Sequence, residues 1–370
     1  MQSASPLAPW ATISLTEGIR RSKLLAKKLG CDPENQDRAV LDCLRKVPAK
    51  AFTQKESEIT EGYAQFPFVP VVDGTFLTKS PQEYLAEGNF KKIPLLMGSN
   101  TNEGTWLLVY QEPALFNINT SSLINSEKHS HVMDRLFRYH PQWPVELGQV
   151  AKDAVKFQYT DWVHPHDQVA LREEVEQAVG DFHFVCGVVD MATTVAAHGQ
   201  DVYMYRFSHR MSNHPWPPWM GVLHGDEIFF VFGRPLVGHL DFSREEKKLS
   251  RKMMKYWANF AKTGNPNNGP GETNKEEWPR YAPERLKFLD ITTDIIQDAG
   301  SSVGVGVKPQ QCAFWGKHLP ILASIERPTY NSNCTRSSPS KSGAKSLTSM
   351  GSLSSSLVVL TASMSWCFLL

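Results

Sequence analysis

The chain has 370 residues, of which 41% are hydrophobic and 11% aromatic, so it can bury a large core and is not an intrinsically disordered protein. Its 39 basic and 38 acidic residues give a formal net charge of +1, without any block of six or more Lys or Arg. A nucleic-acid surface is therefore not indicated, and a small molecule is the expected partner.

Short apolar runs alternate with amphipathic helical patterns from about Ser3 to Ile325, which predicts an α/β fold. Three of the apolar runs are predicted as strands: Phe68–Asp73, Ile93–Asn100 and Asp201–Phe207.

A helix is predicted between Ser243 and Gly264. Ser243 is a favourable N-cap with a glutamate three residues later, apolar residues follow at helical spacing, and Gly264 closes the pattern. The signals at both ends agree with the periodicity between them, so the segment is predicted as one continuous helix.

The composition becomes polar after the last helical pattern, and residues 326–344 are predicted as a linker. The uncharged apolar run Leu357–Leu370 is short for a membrane span. Small residues at Ser342 and Gly343, a polar spacer and this tail have the three-part layout of a GPI-anchor signal, so residues 345–370 are predicted as its spacer and tail. The alternatives are a C-terminal membrane span and a frayed hydrophobic end.

The six cysteines lack the paired spacing of zinc sites, so neither a metal nor a cofactor is expected. Cys31 and Cys43 bracket a polar loop that suits a short disulfide in an oxidising compartment. Glycosylation sequons at Asn119 and Asn333 indicate the same compartment. Because no secretory signal follows Met1, we expect that the N-terminus is truncated.

The segment Met220–Gly233, in which His224 stands between Gly221 and Gly225, closely resembles the histidine loop of cholinesterases, within the type-B carboxylesterase family. This resemblance implies an α/β-hydrolase fold, with a mostly parallel central sheet flanked by helices, here incomplete at the N-terminus. Residues 1–325 would be the C-terminal part of the catalytic domain. Other segments extend the resemblance: Gln158–Trp162, Val179–Cys186, Trp216–Trp219, Tyr256–Pro266 and Cys312–Trp315.

Ester hydrolysis at neutral pH needs a nucleophile, a base and a carboxylate that orients the base, and α/β-hydrolases carry them in the chain order Ser, Asp or Glu, His. By resemblance, Glu103 corresponds to the acid and His224, further downstream, to the base. Without the matching residues around them, Glu103 would be interpreted as a solvated carboxylate in a turn and His224 as a structural histidine. The matching residues around them favour the catalytic interpretation.

A Gly-x-Ser-x-Gly nucleophile elbow is missing upstream of Glu103. The chain's match, Gly300–Gly304, follows His224 and lacks a preceding apolar strand, so it is predicted as a flexible loop. The resemblance places Met1 about two dozen residues after the family's elbow. It implies that the serine and the oxyanion hole lie upstream, and that the given chain is inactive alone. Ser3 matches the serine that hydrogen-bonds the family's glutamate.

The resemblance also implies a substrate pocket. Trp106 and Tyr110 match positions that face the choline group, since aromatic faces hold quaternary ammonium ions, although core packing is the alternative for Tyr110. The acyl-pocket wall would comprise Trp10, Ala64, Phe66 and Leu107. Vertebrate acetylcholinesterases have Phe at the positions of Ala64 and Leu107, so bulkier acyl groups could fit here, and the choice between acetyl and butyryl esters stays open.

Two cysteine pairings follow from the same resemblance. It implies a Cys186–Cys312 disulfide alongside Cys31–Cys43, which would tie the last helix to the body of the domain. Cys334 lies where some cholinesterases have an interchain bridge and is a candidate for linking a homodimer.

Three functions are compatible with these residues. The leading hypothesis is that the intact protein is an extracellular, GPI-anchored cholinesterase at the cell surface that hydrolyses acetylcholine through an acyl-enzyme. The second is a non-catalytic adhesion module resembling neuroligins, against which the presence of Glu103, His224 and Trp106 argues. The third is a carboxylesterase of broad specificity.

Overall fold

The structure is a computed structural model that describes residues 2–59, 66–138, 146–269 and 277–325. The predicted linker and anchor signal, with Asn333, Cys334, Ser342 and Gly343, lie outside the described residues, as does Ala64. The proposals for these positions stay predictions.

The central sheet has four strands, in the order β3, β4, β5, β6. The strands are β1 Ile13–Ser14, β2 Val71–Val72, β3 Leu95–Asn100, β4 Val202–Phe207, β5 Lys287–Ile291 and β6 Val303–Val305. β3, β4 and β5 are parallel, with Leu95 opposite Val202 and Asn100 opposite Phe207, and β6 joins β5 antiparallel. β1 and β2 form a separate parallel pair. The predicted mostly parallel sheet is confirmed.

Helices connect and cover these strands. They are α1 Leu15–Lys28, α2 Asp37–Leu44, α3 Ala49–Lys55, α4 Pro81–Ala86, α5 Gly104–Gln111, α6 Ser126–Leu136, α7 Gln149–Gln158, α8 Gln168–Gly180, α9 Cys186–Ala197, α10 Asp226–Val231, α11 Arg244–Thr263, α12 Pro309–Ala313 and α13 Leu319–Ile325. One π-helical segment, Asp181–Val185, joins α8 to α9 without a break.

Alternate residues of β3 and β4 belong to two different cores, because successive side chains of a strand point to opposite faces of the sheet. Met97 and Met204 pack with helices α6 to α9 and α13 on one face. Leu96 and Tyr205 pack with α10 and α11 on the other. The two cores make the described fold a three-layer arrangement of helices, sheet and helices.

The predicted helix is confirmed at both ends, as α11. The Ser243 hydroxyl accepts the Glu246 N–H at 3.1 Å, and the Glu246 carboxylate accepts the Ser243 N–H at 2.7 Å, which completes a capping box. Gly264 follows the helix with φ +75°, the left-handed conformation that glycine adopts without a steric penalty. Local sequence signals therefore sufficed for this element.

The predicted strand Phe68–Asp73 is reduced to Val71–Val72. Pro67 and Pro70 lie in or beside the expected run, and a proline has no N–H to donate to a neighbouring strand. Pro70 contributes only its carbonyl, which accepts the Ile13 N–H at 3.1 Å.

The prediction of a flexible loop at Gly300–Gly304 is wrong. Gly300–Ser302 is a turn of 3₁₀ helix and Val303–Val305 is strand β6 at the edge of the sheet. A side chain at Gly304 would clash with the ring of Phe288 on β5, so the glycine is needed for the close pairing of the two strands. From the sequence alone, the glycines in this segment favour a loop.

Both predicted disulfides are formed. Cys31 and Cys43 are joined with their Cα atoms 5.9 Å apart, and Cys186 and Cys312 with theirs 4.9 Å apart. The second bond links the start of α9 to α12, and so ties the C-terminal helices to the core, as the resemblance implied.

One helical run, Gln168–Ala197, is long and apolar enough to cross a membrane. However, 61% of its most apolar window is buried inside the protein, where Val175, Val179 and Val188 pack in the first core. In this fold the run serves as the central helix of one layer.

Candidate active site

The two predicted catalytic side chains come from loops that pair with each other. Glu103 lies between the end of β3 and the start of α5, and His224 lies on the loop that precedes α10. A parallel β-bridge joins Asn102 to Leu223, the residues just before Glu103 and His224. Loops that follow the carboxyl ends of strands are the usual place for ligand sites in open α/β sheets.

Glu103 and His224 make a direct hydrogen bond. Nδ1 of His224 lies 2.6 Å from Oε2 of Glu103. The glutamate is 1% exposed, whereas a third of the histidine side chain is accessible. A carboxylate can only accept, so Nδ1 carries the proton and Nε2 is left as the basic nitrogen. This is the acid-to-base relationship of a catalytic triad.

The second oxygen of Glu103 is also held. Oε1 accepts the backbone N–H of Asn100 at 2.6 Å, so the carboxylate is fixed from the strand end on one side and by the histidine on the other. The preorganised carboxylate keeps the imidazole in one tautomer and one orientation.

The hydrogen bond expected from Ser3 to Glu103 is not made. The Ser3 hydroxyl is buried without a hydrogen-bond partner in the described part of the chain. The backbone N–H of Ser3 donates to Gly98 O at 2.9 Å, which ties the residue to β3, while the Glu103 oxygens accept from Asn100 and His224. The sequence correctly placed Ser3 near the site but gave it the wrong contact.

The electrostatics of the pair favour a protonatable histidine. Burial lowers the pKa of His224, but the hydrogen bond and negative charge of Glu103 and the charge of Glu227 raise it by more, so the pKa lies above its ordinary value. Such a base needs a higher pH than an ordinary histidine to become neutral.

Glu227 is a buried residue beside the Glu103–His224 pair that sequence reasoning missed. It lies on α10, is 1% exposed, and accepts Asn100 Nδ2 at 2.5 Å, so the same asparagine contacts both Glu103 and Glu227. Burial and the nearby Glu103 charge raise the pKa of Glu227 to about 7. Its place three residues after His224 was the available signal.

A cavity of about 210 Å³ adjoins His224. Its wall contains four residues predicted for the substrate pocket and others that were not predicted. It is lined by Gln2, Ser3, Ala4, Trp10, Phe66, Trp106, Leu107, Phe184 and His224. The structure thus brings Trp10, Phe66, Trp106 and Leu107 together around the histidine, although up to 214 residues separate them from it in the chain.

Aromatic rings surround the accessible edge of the site. The Phe184 ring centroid is 4.6 Å and the Trp106 centroid 6.2 Å from that of His224. The Tyr110 ring packs against Trp106 in a tilted arrangement, with centroids 4.8 Å apart, but Tyr110 is 70% exposed and does not line the cavity. Phe184 was missed as a pocket residue, although the segment that contains it, Val179–Cys186, carried part of the resemblance.

Ser302, the serine of the Gly-x-Ser-x-Gly match, ends a turn of 3₁₀ helix at Gly300–Ser302, and its N–H donates to the carbonyl of Ala299 at 3.2 Å. The residues that follow form an edge strand rather than the helix that a nucleophile elbow requires.

Comparison with known proteins agrees with this geometry. A model of the carboxylesterase family matches residues 1–315. The chain belongs to the carboxylesterase family. The α/β-hydrolase fold expected of that family is the fold described above, and the resemblance stated from the sequence is confirmed.

Two relatives of this carboxylesterase-family chain illustrate the extent of the match. It is 40% identical over 324 residues to an acetylcholinesterase of Bungarus fasciatus, which covers 87% of the chain and 51% of the relative. It is 35% identical over 338 residues to an acetylcholinesterase of Leptinotarsa decemlineata, which covers 90% of the chain and 51% of the relative. The chain therefore spans about half the length of these curated relatives.

Proposed function

We propose that the intact protein is a serine ester hydrolase in which Glu103 is the orienting acid and His224 the base. The observation that carries the proposal is the 2.6 Å hydrogen bond between a fully buried glutamate and a partly accessible histidine on the wall of a cavity. A bond of this kind in the core would be structural, but here one side of the imidazole reaches the cavity.

In this mechanism Nε2 of His224 takes the proton of a serine hydroxyl as its oxygen attacks the ester carbonyl. The tetrahedral intermediate collapses, the C–O bond to the alcohol breaks, and the imidazolium gives its proton to the leaving oxygen. Water then attacks the acyl-enzyme with His224 as base again, which releases the acid and restores the serine. Glu103 stabilises the imidazolium in both steps and stays ionised.

The serine and the oxyanion donors are proposed to come from residues outside this chain of 370. A Gly-x-Ser-x-Gly motif is missing from the sequence before Glu103, and Ser302, the serine of the match at Gly300–Gly304, is followed by an edge strand instead of a helix. We therefore expect that the 370 residues alone turn over no ester by this mechanism.

The proposed substrate is a choline ester, with acetylcholine first. The two relatives compared above are named acetylcholinesterases. Trp106 lies on the cavity wall and is 39% exposed, and an exposed indole face attracts a quaternary ammonium. Trp10, Phe66 and Leu107 supply an apolar wall for the acyl group.

We propose that the protein works outside the cell, attached to the plasma membrane by a GPI anchor near Ser342 and Gly343. The two disulfides support an oxidising compartment, and the sequons at Asn119 and Asn333 suit it. Cys334 is the proposed link of a homodimer.

The test is to express the full coding region and compare kcat/KM for acetylcholine with that for 3,3-dimethylbutyl acetate, its uncharged carbon isostere. We expect turnover of both, a preference for acetylcholine, and loss of both activities in His224→Ala. The exposed histidine His164 provides a control, because His164→Ala leaves the site untouched.

Each contrary result selects another function. Equal kcat/KM values for the two esters indicate a carboxylesterase of broad specificity. No turnover by the full-length protein indicates the non-catalytic adhesion module. Wild-type turnover in His224→Ala contradicts the catalytic role itself.

A further inference from the structure

Asn102 joins the two catalytic loops through both its backbone and its side chain. Its N–H donates to the carbonyl of Val222 at 2.9 Å, and its Oδ1 accepts the N–H of Val222 at 3.0 Å. Asn102 directly precedes Glu103, and Val222 lies two residues before His224. The asparagine therefore hydrogen-bonds the acid loop to the base loop.

Glu176 of α8 holds the same asparagine from the other side. Its Oε2 accepts Asn102 Nδ2 at 3.0 Å, and its Oε1 accepts the backbone N–H of Gly104 at 3.1 Å. Glu176 thus binds both chain neighbours of Glu103 without touching the catalytic glutamate. It is 6% exposed, which makes these hydrogen bonds hard for water to replace.

The glycines around this contact allow its close packing. A Cβ at Gly221 would clash with the Asn102 amide, and the backbone there has φ +71°. A Cβ at Gly104 would clash with the carbonyl of Glu176. The histidine loop, the glutamate loop and α8 are therefore packed in direct contact, without room for a side chain at either glycine.

We propose that Asn102 and Glu176 are positioning residues, which together hold the Glu103 loop and the His224 loop at the separation that forms the acid–base hydrogen bond. The role in catalysis rests on the proposed function, but the role in forming that hydrogen bond does not. Neither residue lines the cavity next to His224, so substrate binding should not depend on them directly.

The test uses the full-length protein with Asn102→Ala, Glu176→Ala and the conservative Glu176→Gln. The first readout is the low-field proton NMR signal of Nδ1–H of His224, recorded without substrate, which reports the Glu103 hydrogen bond directly. The second is the division of any activity change between kcat and KM.

We expect that Asn102→Ala and Glu176→Ala broaden or shift the low-field signal. We also expect a decrease in kcat of about tenfold to a hundredfold, because small misplacements of catalytic groups have costs of this size. KM should change by less than about threefold, since the substrate contacts remain. Glu176→Gln, which keeps the shape and one carbonyl acceptor, should recover part of both losses.

Glu174→Gln is the matched control. Glu174 lies on the same helix as Glu176, and with Glu176 and Asn102 it lines a second cavity, separate from the one beside His224, but no hydrogen bond joins it to either catalytic loop among the described residues. Its variant should keep the wild-type signal and kcat.

A wild-type low-field signal and kcat in folded Asn102→Ala and Glu176→Ala would overturn the proposal. If Glu176→Ala does not fold, Asn102→Ala and Glu176→Gln decide by the same criterion. If the wild-type protein turns over no ester, the proposed function fails, while the NMR signal still decides whether these two residues position the pair.

Discussion

The buried carboxylate of Glu103 accepts the Nδ1 proton of His224 at 2.6 Å, across 121 residues of sequence. The bond joins a loop that ends strand β3 to the loop that begins helix α10, so it depends on the whole fold between them. Because Nδ1 keeps the proton that Glu103 accepts, Nε2 is the ring nitrogen that can take up a proton. The first two predictions concern this arrangement.

Glu103→Gln should reduce kcat by about 10⁴-fold while changing KM little. The amide keeps the shape, but its NH₂ group can satisfy Nδ1 only in the other tautomer, which leaves the proton on Nε2. Steady-state kinetics on acetylcholine measures the loss. Glu58→Gln, at an exposed glutamate, is the control. A loss of less than about tenfold would contradict the role of Glu103.

The pH profile of kcat/KM should fall on the acid side with a midpoint above 6.5. In the proposed mechanism His224 is the base and must be neutral, and its pKa is raised because the Glu103 bond and the charges of Glu103 and Glu227 outweigh burial. Glu227, with a pKa of about 7, is only partly ionised near this midpoint, so Glu227→Gln removes a partial charge and should move the midpoint slightly to lower pH. A midpoint that does not move would show that Glu227 does not act on the histidine.

Trp106→Ala should raise KM for acetylcholine about 3- to 30-fold, because a cation–π contact contributes a binding free energy of this size. KM for the uncharged 3,3-dimethylbutyl acetate should change little. The indole lines the cavity and its centroid is 6.2 Å from that of the His224 ring. Tyr110→Ala, at a residue that packs against Trp106 but does not line the cavity, should have a smaller effect. Equal losses for both esters would assign Trp106 to packing.

The sequence predicted those parts of the site that have local signals. Strand β3 is an apolar run that ends in a polar turn, and His224 stands between two glycines, so both loops could be found from their own residues. The resemblance then assigned them roles. The acid and base were brought together in the structure as expected.

The contacts that hold these loops could not be predicted in the same way. Asn102 meets Glu176 across 74 residues, and Asn100 meets Glu227 across 127. A polar residue in a loop or on a helix has the same local pattern whether it faces water or a buried partner, because burial is decided by tertiary packing. The failed expectation for Ser3 has this cause, since its neighbours were right and its hydrogen bond was not.

Asp190→Asn should stabilise the protein at pH 8 and leave its stability unchanged at pH 3. Burial, opposed by the charge of Lys317, raises the pKa of Asp190 from 3.8 to about 6. Between these values the folded state binds more protons than the unfolded state, so stability falls as pH rises. The asparagine removes the cost of ionising the buried carboxyl group, which is about 2 to 3 kcal/mol. Urea denaturation of the wild type and Asp190→Asn at both pH values measures the difference in unfolding free energy. An equal difference at pH 3 and pH 8 would contradict the raised pKa of Asp190.

Glu246→Gln should have the opposite pH dependence. Burial opposes ionisation of Glu246, but hydrogen bonds from the Ser212 hydroxyl and N–H, the Ser243 N–H and His209 lower its pKa to about 2. The folded state therefore favours the carboxylate, and the resulting stability is present above pH 4.5 and is lost as pH falls toward 2. The Glu246 carboxylate thus completes the capping box of α11 and also binds His209 and Ser212, which follow β4.

The substitution should cost about 3 kcal/mol at pH 7 and much less near pH 2, where the wild-type side chain is also neutral. Glu245→Gln, one residue earlier and exposed, is the control, because it has the same place in the helix dipole without these contacts. Denaturant unfolding of both variants across pH 2 to 7 separates the cases. A loss in Glu246→Gln that is equally large at both ends of the range would mean that the shape of the side chain, and not its charge, holds the helix start.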